Sequence, residues 1–112
     1  MHDHLTIPSP EGTISISPDA IADIVGETAA QCYGVVGLSG GNAVKRLLRR
    51  GVAIAAGKAG IAIDLHVVVE YGLNLAEVAA TVRSQVSYEV ERLTGLKVEA
   101  VQVHIQDVRR SA

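Results

Sequence analysis

The sequence predicts an α+β fold: a single compact domain with two amphipathic helices packed on one face of a mixed β-sheet, plus a short basic helix. The first indication is a long strand pattern over residues 61–72 that runs directly into an amphipathic helix over residues 74–93. The second is the length of 112 residues, which suits one domain. The third is the composition, because 48% of residues are hydrophobic but only 3% are aromatic, so the core must be aliphatic.

The N-terminal part of the chain is predicted to be a flexible arm, a short strand and a helix. The arm covers residues 1–11, where two prolines interrupt any periodicity. Alternation over residues 13–17 indicates the strand, and Ser17 followed by Pro18 is typical of a helix start. Gly34 is placed to end this helix. The apolar stripe of the helix consists of Ile21, Ile24, Val25, Thr28, Ala29 and Cys32.

The middle of the chain contains the basic helix and a predicted hairpin. Residues 35–38 form either a short strand or a packed turn. A short helix is predicted over residues 42–50, with Asn42 as its cap. A strand over residues 52–56 then connects to the long strand through the glycine-rich residues 57–60, which are typical of a hairpin connection.

The second main helix has the clearest boundaries. Asn74 and Glu77 form a variant of the capping box, and Gly95 ends the helix. Residues 98–108 form the last strand, so the domain spans residues 12–108 and leaves residues 109–112 as a tail. The apolar stripe of this helix consists of Leu75, Val78, Ala79, Val82, Val86, Val90 and Leu93.

Charge and cysteine content limit the function classes. The formal net charge is −2, so no overall positive field attracts the chain to nucleic acid. The single cysteine fits a reducing compartment. The N-terminus lacks a basic region followed by an apolar run, and no uninterrupted apolar stretch is long enough for a transmembrane helix. We therefore expect a cytoplasmic protein.

Five segments carry a resemblance to a known family: GTISISPDAI at residues 12–21, GVVGLSG at 34–40, IDLHVVVEYG at 63–72, TGLKV at 94–98 and VQVHI at 101–105. In these segments the chain resembles the alkaline shock protein family, a group of bacterial envelope stress response proteins. The resemblance extends over nearly all of residues 12–108. The combination of a strand ending in VVEYG, a capped helix and a TGL exit is fairly specific.

The resemblance implies a small cytoplasmic α+β protein that acts in cell envelope homeostasis. It implies no known reaction and no catalytic residues to transfer to this chain. Together with the lack of a catalytic constellation in the sequence, it predicts a non-enzymatic interaction or scaffold protein without a cofactor. It also implies a location at the inner face of the cell membrane through a membrane-anchored partner, and it is compatible with self-association. The basic stretch after Gly40 is short here and departs from the family pattern.

The basic helix is the first candidate contact surface. Lys45, Arg46, Arg49 and Arg50 provide four positive charges on one short helix. Such a helix suits anionic lipid headgroups, phosphates or an acidic partner. The competing interpretation is a solvated face whose leucines close the core.

The outer face of the sheet is the second candidate surface. Asp64, His66 and Glu70 alternate along the long strand, and His104 and Gln106 alternate along the last one. If the two strands are neighbours, the imidazoles approach each other near Asp64 or Glu70. Two histidines and carboxylates are metal ligands, but no H-x-x-H spacing is present, so we expect surface or partner-facing histidines and no metal.

The alternative function is that of a small KH-like nucleic-acid-binding protein. Gly37, Ser39 and Gly40 belong to a G-x-x-G element, a pattern with which KH domains clamp a nucleic-acid backbone. The pattern is only four residues long, and the chain has few aromatic rings for base stacking. A third hypothesis is a small-ligand domain that serves a neighbouring enzyme, which a pocket with convergent polar groups would favour.

No combination of residues predicts a catalytic site. Cys32 lies on an apolar stripe, which indicates a buried structural thiol. Ser39 lacks the G-x-S-x-G context of a hydrolase nucleophile. Asp64 and Glu70 are six residues apart on one strand, about 20 Å by strand rise, which is too far for paired acid–base catalysis.

Overall fold

The structure contains six strands and two helices in its described residues. The computed structural model describes residues 5–9, 12–38 and 51–110. Within them the elements are β1 (Leu5–Ser9), β2 (Gly12–Ile16), α1 (Pro18–Ala30), β3 (Val35–Leu38), β4 (Val52–Ala56), β5 (Ile61–Glu70), α2 (Leu75–Thr94) and β6 (Val98–Arg109). The predicted basic helix over residues 42–50 lies outside the described residues.

Strand β5 is the centre of the main sheet. One of its edges pairs with β6 in parallel along its whole length, from Ile61 opposite Val98 to Glu70 opposite Arg109. The other edge pairs antiparallel with two shorter strands, β4 along the first half and β3 along the second half. The sheet is therefore mixed, which confirms the predicted fold class.

The two helices pack on one face of this sheet. Alternate residues of β5, from Ile61 to Val69, are buried against a stripe of valines on α2 and against Ile21 and Val25 of α1. Because side chains alternate across a strand, the other face of β5 carries Asp64 and His66. The result is two layers, with the helices on one side and a polar sheet face on the other.

Both helix starts have the predicted caps. The Ser17 side chain accepts a hydrogen bond from the Ala20 backbone N–H at 3.2 Å, and the Asn74 side chain accepts one from the Glu77 N–H at 3.0 Å. Gly95 ends α2 with φ of 77°, a left-handed conformation that favours glycine. Gly34 does not end α1, because that helix stops at Ala30 and is followed by turns.

Two further expectations need correction. Residues 5–9 are not an unstructured arm, because β1 pairs antiparallel with β2 in a two-stranded sheet. Pro8 is compatible with β1 because a strand in a two-stranded sheet has an edge that needs no N–H donor.

The apolar stripe of α2 does not include Leu75 and Leu93 as predicted. The buried residues of this helix recur every four positions, so the stripe rotates by about 40° per step around the helix. Leu75 and Leu93 are therefore left exposed by 38% and 54%.

Cys32 lies beyond the end of α1, so it is not on the helical stripe, and it is half-buried against the core where the sequence predicted a buried thiol. Its Sγ–H donates a hydrogen bond to the Thr28 carbonyl at 3.4 Å. Burial raises the pKa of the thiol, because the thiolate is poorly solvated there. Among the described residues, no helix is long and apolar enough to span a bilayer.

Leu65 tests the central role of β5. Its side chain is fully buried in the middle of the strand, so Leu65→Ala should lower the free energy of unfolding by about 2–5 kcal/mol. Leu75→Ala is the matched control, because the same atoms are removed from a side chain that is 38% exposed. Urea denaturation measures both, and equal losses for the two variants would contradict a core centred on β5.

Cys32 should react slowly with iodoacetamide near neutral pH. The raised thiol pKa means that the folded chain holds less thiolate than the unfolded chain at the same pH. The alkylation rate should therefore increase when the chain is unfolded in urea. In a pH titration, the rate of the folded chain should begin to rise at a higher pH than the rate of the unfolded chain. Mass spectrometry of the alkylated chain measures these rates, and a folded rate above the unfolded rate would exclude a protected thiol.

Candidate functional site

The outer face of the sheet brings together four of the five residues predicted there, all except Glu70. The β5–β6 register places His66 directly opposite His104, and Asp64 opposite Gln102, two residues earlier on each strand. Asp64 and His104 are about half exposed, with 52% and 43% of their side-chain surface accessible. We name Asp64, His66, His104 and Gln106 the outer-face cluster. The prediction that the two imidazoles approach each other is therefore confirmed.

The cluster is a short network of stacked and hydrogen-bonded side chains. The rings of His66 and His104 stack with centroids 4.5 Å apart and planes inclined by 15°. Nδ1 of His66 donates a hydrogen bond to Oε1 of Gln106 at 2.8 Å. Nε2 of His104 lies 3.5 Å from Oδ1 of Asp64, so the two form an ion pair whenever His104 is protonated. Each ring is thus positioned by a neighbour on one side and by the other ring on its face.

A β-bulge in β6 explains the contact of Gln106. Ile105 pairs with Val67 and Asp107 pairs with Val68, so Gln106 has no residue opposite it on β5. The extra residue lets its side chain reach back to His66. The sequence places Gln106 on the same face but cannot locate the bulge, because a bulge depends on the register between two distant strands.

Glu70 lies outside the cluster. It pairs with Arg109 at the far end of β5, four residues beyond His66. Nearby, the Arg109 guanidinium lies 3.4 Å from the Asp107 carboxylate, and the Arg110 guanidinium lies 4.4 Å above the Tyr71 ring. Of the two carboxylates expected beside the imidazoles, only Asp64 is there.

The outer-face cluster is polar and open to solvent. The stacked rings present hydrogen-bonding groups at opposite ends, towards Gln106 and Asp64. Within residues 5–9, 12–38 and 51–110, no group of three or more His, Cys, Asp and Glu side chains is arranged to hold a metal ion. What the cluster offers is an exposed, polar and positioned surface.

A groove of about 560 Å³ lies between the two helices, on the other side of the molecule. Cys32 lies in its wall, and an ion pair of 2.7 Å joins Glu89 and Arg92 there. Both imidazoles are on the opposite face of the sheet, so neither is positioned to deprotonate the thiol. The groove is lined by Ile24, Glu27, Thr28, Gln31, Cys32, Tyr33, Thr81, Gln85, Glu89, Arg92 and Leu93.

The remaining predicted site residues belong to other parts of the chain. Gly37 is a strand residue of β3 opposite Val68, and Leu38 packs on the core. The first glycine of the G-x-x-G element is thus part of the sheet. The other predicted residues, Ser39, Gly40, Lys45, Arg46, Arg49 and Arg50, lie outside the described residues.

Comparison with solved structures gives the fold. A double variant of MamM CTD superimposes with a TM-score of 0.56, covering 84% of this chain and 95% of that chain at 16% identity. A single variant of the same domain gives 0.51, covering 80% and 93%, again at 16% identity. At this level of identity the likeness concerns the fold alone.

Comparison with curated sequences gives relatives in Bacillus subtilis and Streptococcus pyogenes. "Uncharacterized protein YloU" of Bacillus subtilis (strain 168) is 37% identical over 107 residues, which cover 88% of this chain and 89% of YloU. "Uncharacterized protein Spy1614" of Streptococcus pyogenes serotype M6 is 32% identical over 108 residues, with coverage of 88% and 89%. A "stress response regulator gls24 homolog" of Streptococcus pyogenes serotype M3 is 31% identical, and the match spans 59% of its length.

The family model that matches the chain covers almost all of it. This is the model of the Asp23 family, which is described as having a cell envelope-related function, and it matches residues 6–110. That range contains every described strand and helix except the first residue of β1. The chain belongs to the Asp23 family, the alkaline shock protein family that its sequence resembles.

Proposed function

We propose that the chain is a non-enzymatic interaction protein of the bacterial envelope stress response, which binds protein partners through the outer-face cluster. The family description and the relative named as a stress response regulator support the cellular setting. In this proposal the protein acts as a scaffold, and its specificity lies in surface contacts.

The observation that carries the proposal is that the side chains of the outer-face cluster hold one another in a fixed arrangement on an open surface. His66, His104 and Gln106 are exposed or half-exposed, yet they stack and hydrogen-bond to one another. Side chains already held in one arrangement lose less conformational entropy when a partner binds, so such a surface binds more tightly than a mobile one. The cluster is also spread along two adjacent strands, which suits a broad protein contact.

The basic segment of the sequence is the second part of the proposed interaction. Lys45, Arg46, Arg49 and Arg50 would attract an anionic surface, at about 1 kcal/mol per basic residue near a membrane. We place the protein in the cytoplasm, at the inner face of the cell membrane, and held there by a membrane-anchored partner. Contact of the basic segment with lipid would then strengthen an attachment that the partner provides.

A tagged chain, recovered from host cells after mild cross-linking, tests the proposal. We expect a membrane-associated envelope protein to be captured with the native chain. The variant His66→Ala/His104→Ala should reduce its recovery about tenfold, since the positioned contact surface is lost. Quantitative mass spectrometry measures the recovery, and urea denaturation should show that the variant remains folded, since neither side chain belongs to the buried core.

Gln85→Ala/Thr81→Ala is the matched control, because it removes two exposed polar side chains from the helix groove on the other side of the molecule. This control should retain the partner. Equal recovery from the outer-face variant and the native chain would exclude the cluster as the contact. Capture of RNA that survives moderate salt, and its loss in a Lys45→Ala/Arg46→Ala/Arg49→Ala/Arg50→Ala variant, would instead favour nucleic-acid binding.

A further inference from the structure

The outer edge of β6 is the longest strand edge without a partner in the described part of the chain. β6 has 12 residues and pairs only with β5. The opposite edge of the sheet is formed by β3 and β4, which have only four and five residues. Proteins often protect a sheet edge from further pairing by keeping the edge strand short, and β6 is too long to be protected in this way.

The register shows which backbone groups of β6 face outwards. The Ile61 N–H donates to the carbonyl of Lys97, the residue before β6, and the Tyr71 N–H donates to the carbonyl of Arg109 in β6. The N–H groups of His66 and Glu70 instead donate towards the other edge, so the odd-numbered residues of β5 face β6. In a parallel pair, the β6 residue opposite each odd-numbered β5 residue directs its own N–H and C=O away from β5. Those residues of β6 are Val98, Val101, Val103, Ile105 and Val108.

Both ends of this edge are closed by side chains. The Val98 N–H donates to the Glu91 carboxylate at 2.9 Å, and the Val108 N–H donates to the Asp107 carboxylate at 2.8 Å. The outward groups of Val101, Val103 and Ile105 have no such partner among the described contacts. Residues 100–106 between the two ends also contain no Lys, Arg, Asp or Glu, the charges that commonly protect an edge.

We propose that β6 pairs antiparallel with β6 of a second copy of this chain, around a two-fold axis at Val103. In this register Val103 faces Val103 of the second copy, and Val101 faces Ile105 in both directions. All of these residues turn their backbone groups outwards, so they form hydrogen-bonded pairs of the antiparallel type. The closed ends at Val98 and Val108 limit the pairing to this central stretch.

The side chains are complementary in the same register. Val101, Val103 and Ile105 lie on the helix side of the sheet, and Val103 and Ile105 are only partly buried in one copy. Pairing places apolar side chains next to apolar side chains on that face. On the outer face Gln102 lies opposite His104 of the second copy, so no like charges meet. The proposal concerns the sheet edge and does not depend on the proposed function.

A charge exchange on the outer face tests the register in the full chain. Gln102 and His104 are exposed, so their substitution leaves the core of the single copy intact. Gln102→Lys/His104→Lys places like charges opposite each other and should raise the dimer dissociation constant about tenfold. Gln102→Glu/His104→Lys places opposite charges there and should restore it. Sedimentation velocity over a range of concentrations measures both, with circular dichroism to check folding.

A cysteine scan tests the position of the axis independently. In a Cys32→Ser background, Val103→Cys should form a disulfide-linked dimer under mild oxidation, because directly paired residues have Cα atoms about 5.5 Å apart. Ile105→Cys is the control, since its two copies would lie about 14 Å apart along the strands. Cross-linking of the first variant alone supports the proposal.

Three results would overturn the β6 pairing. The first is a native chain that stays monomeric at every concentration reached, which would leave the edge to another partner or to solvent. The second is a dimer whose dissociation constant is the same in both charge variants, which would place the contact elsewhere. The third is equal cross-linking through Ile105→Cys and Val103→Cys, which would exclude an axis at Val103.

Discussion

The pairing of β5 on both edges is the constraint on which the rest of the structure depends. Its backbone groups bond to β6 on one side and to β3 and β4 on the other, while its helix-side residues form the middle of the core. The strand begins where Gly60 passes so close to the Lys97 carbonyl that a Cβ would lie 2.3 Å from that oxygen. The approach of β5 to the β6 end of the chain therefore requires glycine at this point.

The elements that the sequence predicts well are those whose signals are local. Periodicity and caps define α1 and α2 because Ser17, Asn74 and Gly95 bond to backbone groups within a few residues of themselves. Alternation defines β5 for the same reason. Strand β1 was missed, because Pro8 is unfavourable in a strand by local rules and is compatible with one only where an edge lacks a partner.

The candidate site divides in the same way. Asp64, His66 and His104 could be assigned to one face because alternation is a local property. The distance between the imidazoles and the hydrogen bond to Gln106 depend on the register of two strands joined by a long helix, and on a bulge in one of them. Nothing in the sequence around Gln106 indicates that bulge, so the network could be predicted only in outline.

The molecule separates its surfaces by the side of the sheet on which they lie. The outer face carries the histidine cluster, the helix side carries the groove that contains Cys32, and β6 forms an edge between them. The likeness to MamM CTD at 16% identity shows that the same arrangement of strands and helices occurs in a distant sequence. The fold thus provides a frame, and the side chains on each surface determine the chemistry of that surface.

The dependence of β5 on β6 also has a consequence for how the chain is made. Synthesis proceeds from the N-terminus, so β4, β5 and α2 leave the ribosome before β6 does. During that interval the odd-numbered residues of β5 have no strand for their N–H and C=O groups, and one side of the core is open. Newly made chains therefore pass through a stage in which one edge of a valine-rich strand is unpaired, and this stage ends only when β6 is delivered.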